Sequence, residues 1–388
     1  MTATLFLQSA VRDPYAIYET MLKENPVFWD QANNLWAIYS YENCKAALVN
    51  PLTRIPDVNP NNKDGLNEYS LRITGKLARL SNGLQHEVAK QIVRLLFEKR
   101  KAIVTADILA ATLERDAPRR EIDWVDKVCK KLPLMLVLKS FDFKEGDCDF
   151  IADNIEHLVK IMSPAKTPEQ VAVLNETSKE VYAITEKHLL DLPFYKKLIT
   201  DHAEKCETAV DAILSLYVVN LIGLFIQCYD AGRGILSNSL LQILDNDHLS
   251  SKNPMSKDYF QKSVVETLRF DPPVHTTRRI AADDILFGNT EIKRGQALLI
   301  VLAAANRDPL KFNHPAVYDI DRFNNHEHLT FGSGAHACPA NYFSVGMATE
   351  VLFFLQEKYK KVALLQKNIQ YEPVTNARLP KSIFISLS

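Results

Sequence analysis

The 388-residue sequence has no excess of charge, no tail of one sign and no internal repeat, and it is poor in cysteine. With 46 Lys and Arg against 47 Asp and Glu the formal net charge is −1, which removes the electrostatic basis for nucleic acid or an anionic membrane as a main partner. The six cysteines, Cys44, Cys129, Cys148, Cys206, Cys228 and Cys338, are irregularly spaced. No two are separated by only two residues, so they make neither a disulfide framework nor a zinc pattern. Reduced cysteines and a cytoplasmic protein are expected. The N-terminus reaches Asp13 and Pro14 before any apolar run long enough for a signal peptide or anchor. The longest apolar stretch, Ala212 to Ile226, carries Ser215 and Asn220 and falls short of the roughly 20 apolar residues that span a bilayer, so it predicts a buried helix and no membrane partner.

What is present is the composition of an ordinary globular chain, 47% hydrophobic and 24% charged. Alternation over Val27 to Asp30 and Leu35 to Tyr39, around the Asn33-Asn34 pair, predicts a β-hairpin. Prolines and the turn-rich NPNNKDG make Asn50 to Ser81 a long loop. Helical patterns dominate from Asn82 to Ser251, with breaks near Ala117 to Arg120, Lys144 to Asp147, Ser163 to Thr167 and Leu192 to Phe194. After Phe270 short strand-like pieces appear, ending in KSIFISLS. The expectation is a mainly α fold with a small β portion, in a single domain over residues 1–388.

The most informative stretch is Phe331-Gly-Ser-Gly-Ala-His-Ala-Cys-Pro-Ala340, followed by helix-like sequence from Asn341. Glycines let a backbone approach a bulky planar group, and a thiolate just before a helix N-terminus is favoured by the positive end of the helix dipole. Such a thiolate suits the axial position of haem iron. On the cysteine alone, a buried turn cysteine is the commoner explanation.

The segment resembles the haem-binding loop of the cytochrome P-450 superfamily, Phe-x-x-Gly-x-His/Arg-x-Cys-x-Gly, with Phe331, Gly334, His336 and Cys338 at matching positions. The resemblance implies a haem b (iron protoporphyrin IX) cofactor with Cys338 as its metal ligand, His336 as a propionate partner and Phe331 shielding the sulfur. Ala340 departs from the pattern, which ends in glycine. Glu266-Thr-Leu-Arg269 matches the family's Glu-x-x-Arg, whose spacing brings acid and base together on one helix face. Then come Ala303 to Pro309 (AAANRDP) and Tyr318-Asp-Ile-Asp-Arg-Phe323, in the family's order, with Arg322 expected to complete a buried Glu-Arg-Arg cluster. His86 and Lys90 stand where the family has His-x-x-x-Arg and are expected at the propionates, together with Arg279 or its neighbour Arg278. Upstream of Glu266 the resemblance is weaker.

In the family a long distal helix covers the haem opposite the cysteine loop, and an acid followed by threonine delivers protons to oxygen. Aligned by distance to Glu266, Asp230 takes the acid position and Ala231 that of the alcohol, so the hydroxyl is missing. A rival register, with Ile235 on the threonine, lacks it too. Glycine in a helix interior costs roughly 1 kcal/mol relative to alanine, so Gly232 and Gly234 predict a local unwinding over the haem, with close packing as the alternative. Arg233 has two readings: a structural ion pair, or a partner for an anionic substrate. Val274, His275 and Thr276 are expected to line the substrate pocket.

The resemblance implies a monooxygenase acting on a small organic substrate, such as a natural product, with dioxygen and electrons from a separate ferredoxin or flavodoxin-type donor. Atypical oxidative coupling, rearrangement, peroxide-driven chemistry and non-catalytic haem or ligand binding are the alternatives the missing hydroxyl leaves open.

Overall fold

A computed structural model describes residues 4–57, 65–114, 121–163, 165–245, 249, 254–288 and 290–388. Among these the helices are α1 (Pro14–Glu24), α2 (Tyr41–Val49), α3 (Glu68–Lys76), α4 (Gly83–Lys99), α5 (Thr105–Glu114), α6 (Leu132–Ser140) and α7 (Glu145–Leu158). They continue with α8 (Pro168–Asp191), α9 (Pro193–Lys205), α10 (Val210–Asp245), α11 (Lys257–Phe270), α12 (Leu302–Ala305) and α13 (Asn341–Lys358). The strands are β1 (Val27–Asp30), β2 (Leu35–Ile38), β3 (Thr53–Arg54), β4 (Glu121–Asp123) and β5 (Thr276–Ala281). The remaining strands are β6 (Ile285–Phe287), β7 (Thr290–Ile292), β8 (Ala297–Val301), β9 (Val362–Leu364) and β10 (Phe384–Leu387). The chain divides into two compact units, Met1–Pro56 with Val104–Leu132 and Asp230–Ser388, and Asp57–Ile103 with Pro133–Tyr229.

The first unit is built on a five-stranded sheet in the order β1-β2-β8-β5-β3, in which β2 and β8 run parallel and the other neighbours antiparallel. The expected hairpin is present, with Trp29 opposite Trp36. Its turn works because Asn34 takes a left-handed φ of 52° and Asn33 donates from backbone and side chain to the Asp30 carboxylate. The two-residue period then divides the sheet. Leu35, Ala37, Leu299 and Val301 pack with Tyr18 and Met21 of α1, while Ile38, Leu298 and Ile300 pack on the other face with Tyr41 and Phe312. Burial on both faces explains why β8 reads as an unbroken apolar run. KSIFISLS supplies β10, the centre of a second sheet, β4-β10-β9.

The second unit is helical. The expected breaks fall between α6 and α7, before α8 and between α8 and α9, while the one near Ala117 to Arg120 lies outside the described residues. Thr167 and Gln170 form a capping box that starts α8. The long loop expected over Asn50 to Ser81 needs correction, because β3 and α3 lie within it; most of NPNNKDG is outside the described residues. The helix α3 starts at Asn67, whose side chain accepts from Ser70 N and whose own N–H groups are held by Asn175 of α8 at 2.8 Å. That anchor is 108 residues away in the chain, beyond any local pattern.

The apolar run at Ala212 becomes part of α10, which is long and apolar enough to cross a membrane by length and composition, correcting the expectation that it falls short. What identifies it as a core helix is burial: 78% of its most apolar window is inside the protein.

Candidate haem-thiolate site

The motifs after Glu266 converge in the first unit. Glu266 and Arg269, on α11, are fully buried and paired through two parallel bonds, Nε to Oε2 at 2.9 Å and Nη2 to Oε1 at 2.7 Å. Arg322 Nε approaches the same Oε1 at 3.5 Å, and Asp319 N donates to it at 3.0 Å. The remaining guanidinium N–H groups are spent on main-chain carbonyls: Arg269 on those of Asn306, Pro315 and Val317, and Arg322 on those of Asn313, His314 and Val317. One buried carboxylate thus ties the end of α11 to the irregular segment from Asn306 to Arg322, and the expected Glu-Arg-Arg cluster is formed.

That segment leads into the cysteine loop. Gly334, at φ +70°, sits so close to α2 that a Cβ would lie 2.9 Å from Leu48 O and 3.1 Å from Val49 Cα. Only glycine meets both the left-handed conformation and the contact. Cys338 N donates to Phe331 O at 2.8 Å, closing the loop, and Cys338 is exposed three residues before the first turn of α13. Phe331 is half-buried, with its ring 5.6 Å from that of His328, and His336 is half-buried in the turn before the cysteine. Ala340, where the family pattern has glycine, adopts φ −97° and ψ 11°, open to any L-residue, so the replacement strains nothing.

The other cysteines behave differently. Cys44, Cys129 and Cys148 are buried and their thiols are pushed up by desolvation, Cys148 to about 11. Among the described residues no group of three His, Cys, Asp or Glu side chains is placed to hold a metal ion by itself. An exposed cysteine in a loop shaped by Gly334 and closed by its own N–H fits a metal that arrives with its own equatorial ligands, as haem iron does.

Strand β5 separates the two candidate arginines. Arg278 is exposed, whereas Arg279 is buried on the opposite face, where its Nη1 donates to Thr277 Oγ1 at 3.2 Å and to Arg278 O at 2.8 Å. In the second unit, His86 and Lys90 lie one turn apart on α4. His86 is buried with Nδ1 2.8 Å from Ala78 O, and burial, reinforced by Arg94, lowers the Lys90 pKa.

Between Tyr217 and Leu241 α10 is buried except at one window. Gln227 and Cys228 are half-exposed and Asp230 and Ala231 exposed, while Tyr229 and Gly232 are buried. At roughly 100° per residue the four accessible residues share one half of the helix circumference and Tyr229 falls on the other. The motif alignment points to Asp230 and Ala231 only; the signal for Gln227 and Cys228 is their one-face spacing with Ala231.

The local unwinding expected here is overturned, and the structure chooses between the two readings of Arg233. The helix is not unwound at Gly232 and Gly234; it is continuous, and a Cβ on Gly234 would meet Pro273 Cβ at 2.3 Å and Leu379 Cδ2 at 2.8 Å, so close packing accounts for that glycine. Gly232 is buried, outside the accessible window. Arg233 is buried too, and its Nη2 bonds Glu372 Oε1 and Pro380 O, both at 2.6 Å, which commits it to a structural ion pair and not to a substrate. Glu372, 139 residues away, had no local signal.

His275 is likewise not a pocket wall. It is fully buried, with Tyr15 and Tyr18 packed on its ring, and Nδ1 is 3.0 Å from the Tyr18 hydroxyl. The His275 tautomer sets which of the two donates, and Tyr18 also accepts from Gln8 Nε2 at 3.4 Å. Thr276 is buried as well, leaving only Val274 half-exposed. Desolvation, then Arg378 and Arg307, hold the His275 pKa well below 6.5. A depressed folded pKa means that the unfolded chain binds the proton first, so stability falls as pH drops below about 6.5. His275→Gln is expected to flatten that fall by up to about 1.4 kcal/mol per pH unit, measured as urea unfolding free energy between pH 7 and pH 5.

Comparison with known proteins agrees with this arrangement. The Cytochrome P450 family model matches residues 238–352. Cytochrome P450 109 of Bacillus spizizenii is 24% identical over 349 residues, covering 84% of this chain and 79% of the relative. Among solved structures, CalO2 superposes with a TM-score of 0.86 at 19% identity, covering 100% of this chain and 99% of the other. P450BioI, solved in complex with hexadec-9Z-enoic acid ligated acyl carrier protein, superposes with a TM-score of 0.78 at 18% identity, covering 96% and 98%. With the loop cysteine, the buried Glu-Arg-Arg cluster and the fold all in agreement, the chain belongs to the cytochrome P450 superfamily, the haem-thiolate oxidoreductases of the monooxygenase type.

Proposed function

We propose that residues 1–388 form one cytochrome P450 domain that oxygenates a small organic substrate in the cytoplasm, with electrons from a ferredoxin or flavodoxin-type donor. The observation that carries this reading is the exposed thiol of Cys338 on a loop whose shape depends on Gly334. Haem b, when bound, supplies the oxygen chemistry. Cys338 would hold the iron, Phe331 would shield the sulfur, and His336, Arg279, His86 and Lys90 would pair with the propionates. Lys90 offers a point charge where arginine offers a fork, so its contact is the less directional.

Asp230 and Ala231, the exposed pair on α10, would form the distal surface. Ala231 brings no hydroxyl, so proton delivery falls to a substrate group, to water or to another side chain of the accessible window. Introducing the alcohol as Ala231→Thr is expected to raise the fraction of electrons recovered in product several-fold and to lower peroxide release accordingly. Unchanged coupling would show that proton delivery does not pass through position 231. Incubation of candidate ligands with a reconstituted electron-transfer chain, and separately with peroxide, separates enzyme from binder. Product under the first condition supports the monooxygenase; binding without product under both supports a non-catalytic protein.

A further inference from the structure

The haem-thiolate reading gives no role to the side chains of the AAANRDP segment, Ala303 to Pro309. One of them, Asn306, is fully buried and leaves none of its polar atoms unused. It stands just after α12, where its N donates to Leu302 O at 2.9 Å and its carbonyl accepts from Arg269 Nη1 at 3.0 Å. The side chain reaches across to the start of the cysteine loop. Its Oδ1 accepts from Leu329 N at 2.7 Å, and its Nδ2 donates to Thr330 Oγ1 at 2.8 Å and to Leu268 O at 3.3 Å.

These partners fix the orientation of the amide. A backbone N–H can only donate, so the atom facing Leu329 is the oxygen. The Thr330 hydroxyl gives its proton to Leu268 O at 2.5 Å, so its own oxygen receives the amide N–H. Aspartate lacks the donor and serine lacks the reach. An amide on a short stem therefore suits two successive residues at once.

The chain that follows is tied to the same point. Thr330 N donates to His328 Nδ1 at 3.3 Å, Gly332 N to Leu329 O at 2.8 Å and Cys338 N to Phe331 O at 2.8 Å. The bond that places Cys338 is thus carried by the residue directly after the two that Asn306 holds. Leu329 and Thr330 are buried, so removing the amide leaves a backbone donor that water cannot readily satisfy.

We propose that Asn306 is a positioning residue for Cys338: its amide fixes Leu329 and Thr330, they fix the Phe331 carbonyl, and that carbonyl holds the cysteine N–H. This deepens the proposed function by adding a residue to the same site, and it rests on that reading for Cys338 as the iron ligand. Outer groups that orient a ligand also tune the metal it holds. A porphyrin dianion and a thiolate cancel the charge of ferric iron but leave ferrous iron with an excess negative charge. A looser loop that admits water to the sulfur therefore favours the reduced state.

Spectroelectrochemical titration of the haem-loaded protein, with amide hydrogen exchange on the same samples, tests it. At the wild-type midpoint potential, Asn306→Ala should raise the ferrous-to-ferric ratio about tenfold, equivalent to about 59 mV for one electron. Exchange should speed up at Leu329, whose acceptor is lost, and also at Cys338, two links further along the chain. Thr330→Val, the milder change that carries the test if Asn306→Ala does not fold, should move both readouts in the same direction. Thr330→Ser, which keeps the hydroxyl, should stay near wild type. Tyr318→Phe, which removes a hydroxyl donating to Ser263 O of α11 at 2.8 Å, should lower stability without moving the potential. An unchanged potential or an unchanged Cys338 exchange rate in the variants that fold overturns the positioning role, as does an equal shift in Tyr318→Phe. Should the wild-type protein lack a thiolate-type spectrum while Cys338 exchange still responds to Asn306→Ala, the proposed function fails and the positioning of Cys338 stands.

Discussion

Replacing Cys338 with alanine is expected to abolish the red-shifted, thiolate-type Soret band of the reduced, carbon monoxide-bound protein. The expectation is complete loss, because the alternatives are few. Cys44, Cys129 and Cys148 are buried, with their thiols held protonated by desolvation. Cys228, on α10, is half-exposed, but desolvation pushes its thiol up to about 12 and it donates to Phe225 O within its own helix. Cys206 is exposed but is the C-cap of α9, its N–H bonded back to His202 O and Glu204 O of that helix. Cys338 alone combines an exposed sulfur with a following helix N-terminus and a loop closed by its own N–H. A haem stain of the purified variant separates loss of ligand from loss of haem. Persistence of the band in Cys338→Ala would refute the assignment, and Cys206→Ala and Cys228→Ala in that background would then find the ligand.

The second large effect is expected at Glu266. Changing it to glutamine leaves Arg269, fully buried, without its counter-charge and sets an amide N–H₂ against the donors of Arg269, Arg322 or Asp319. Breaking a buried pair by removing one partner costs about 3–5 kcal/mol, because the remaining charge stays desolvated. A shift of the urea midpoint by that free energy, with the slope unchanged, is the expected result. A loss below about 1 kcal/mol would mean that the main-chain carbonyls around Arg269 and Arg322 hold the segment without the carboxylate. Converting Glu266 and Arg269 together to leucine and methionine distinguishes the cases, since removing both charges relieves most of the penalty if the pair is the cause.

How much of this was legible in the sequence depends on how far apart the interacting residues lie. The β1-β2 hairpin and the break near Ser163 to Thr167 could be read because each is written within a few residues. The Glu-x-x-Arg spacing could be read, but Arg322, 56 residues from Glu266, was placed in the cluster only through the order of motifs that the family shares. The helix α3 was missed because its start depends on Asn175, and the ion pair of Arg233 was left open because Glu372 is distant. The glycines of α10 were misread for a related reason. Helix propensity counts the local penalty of Gly234 but not the close approach of Pro273 and Leu379, which makes glycine the residue that fits.

By itself, then, the sequence determined the class of chemistry: a mainly helical chain, one cysteine in a glycine-shaped loop before a helix, and the order of motifs that marks a cytochrome P450. Those features are local, set by backbone conformations and spacings that neighbouring residues impose on one another. Only the tertiary structure decided which polar side chains are already committed and which remain to act. Arg233 and His275 are bound inward, and Arg279 and Arg278 are split between two faces of one strand. Such commitments depend on burial and on partners brought together from distant parts of the chain, where desolvation decides whether a charge must be paired.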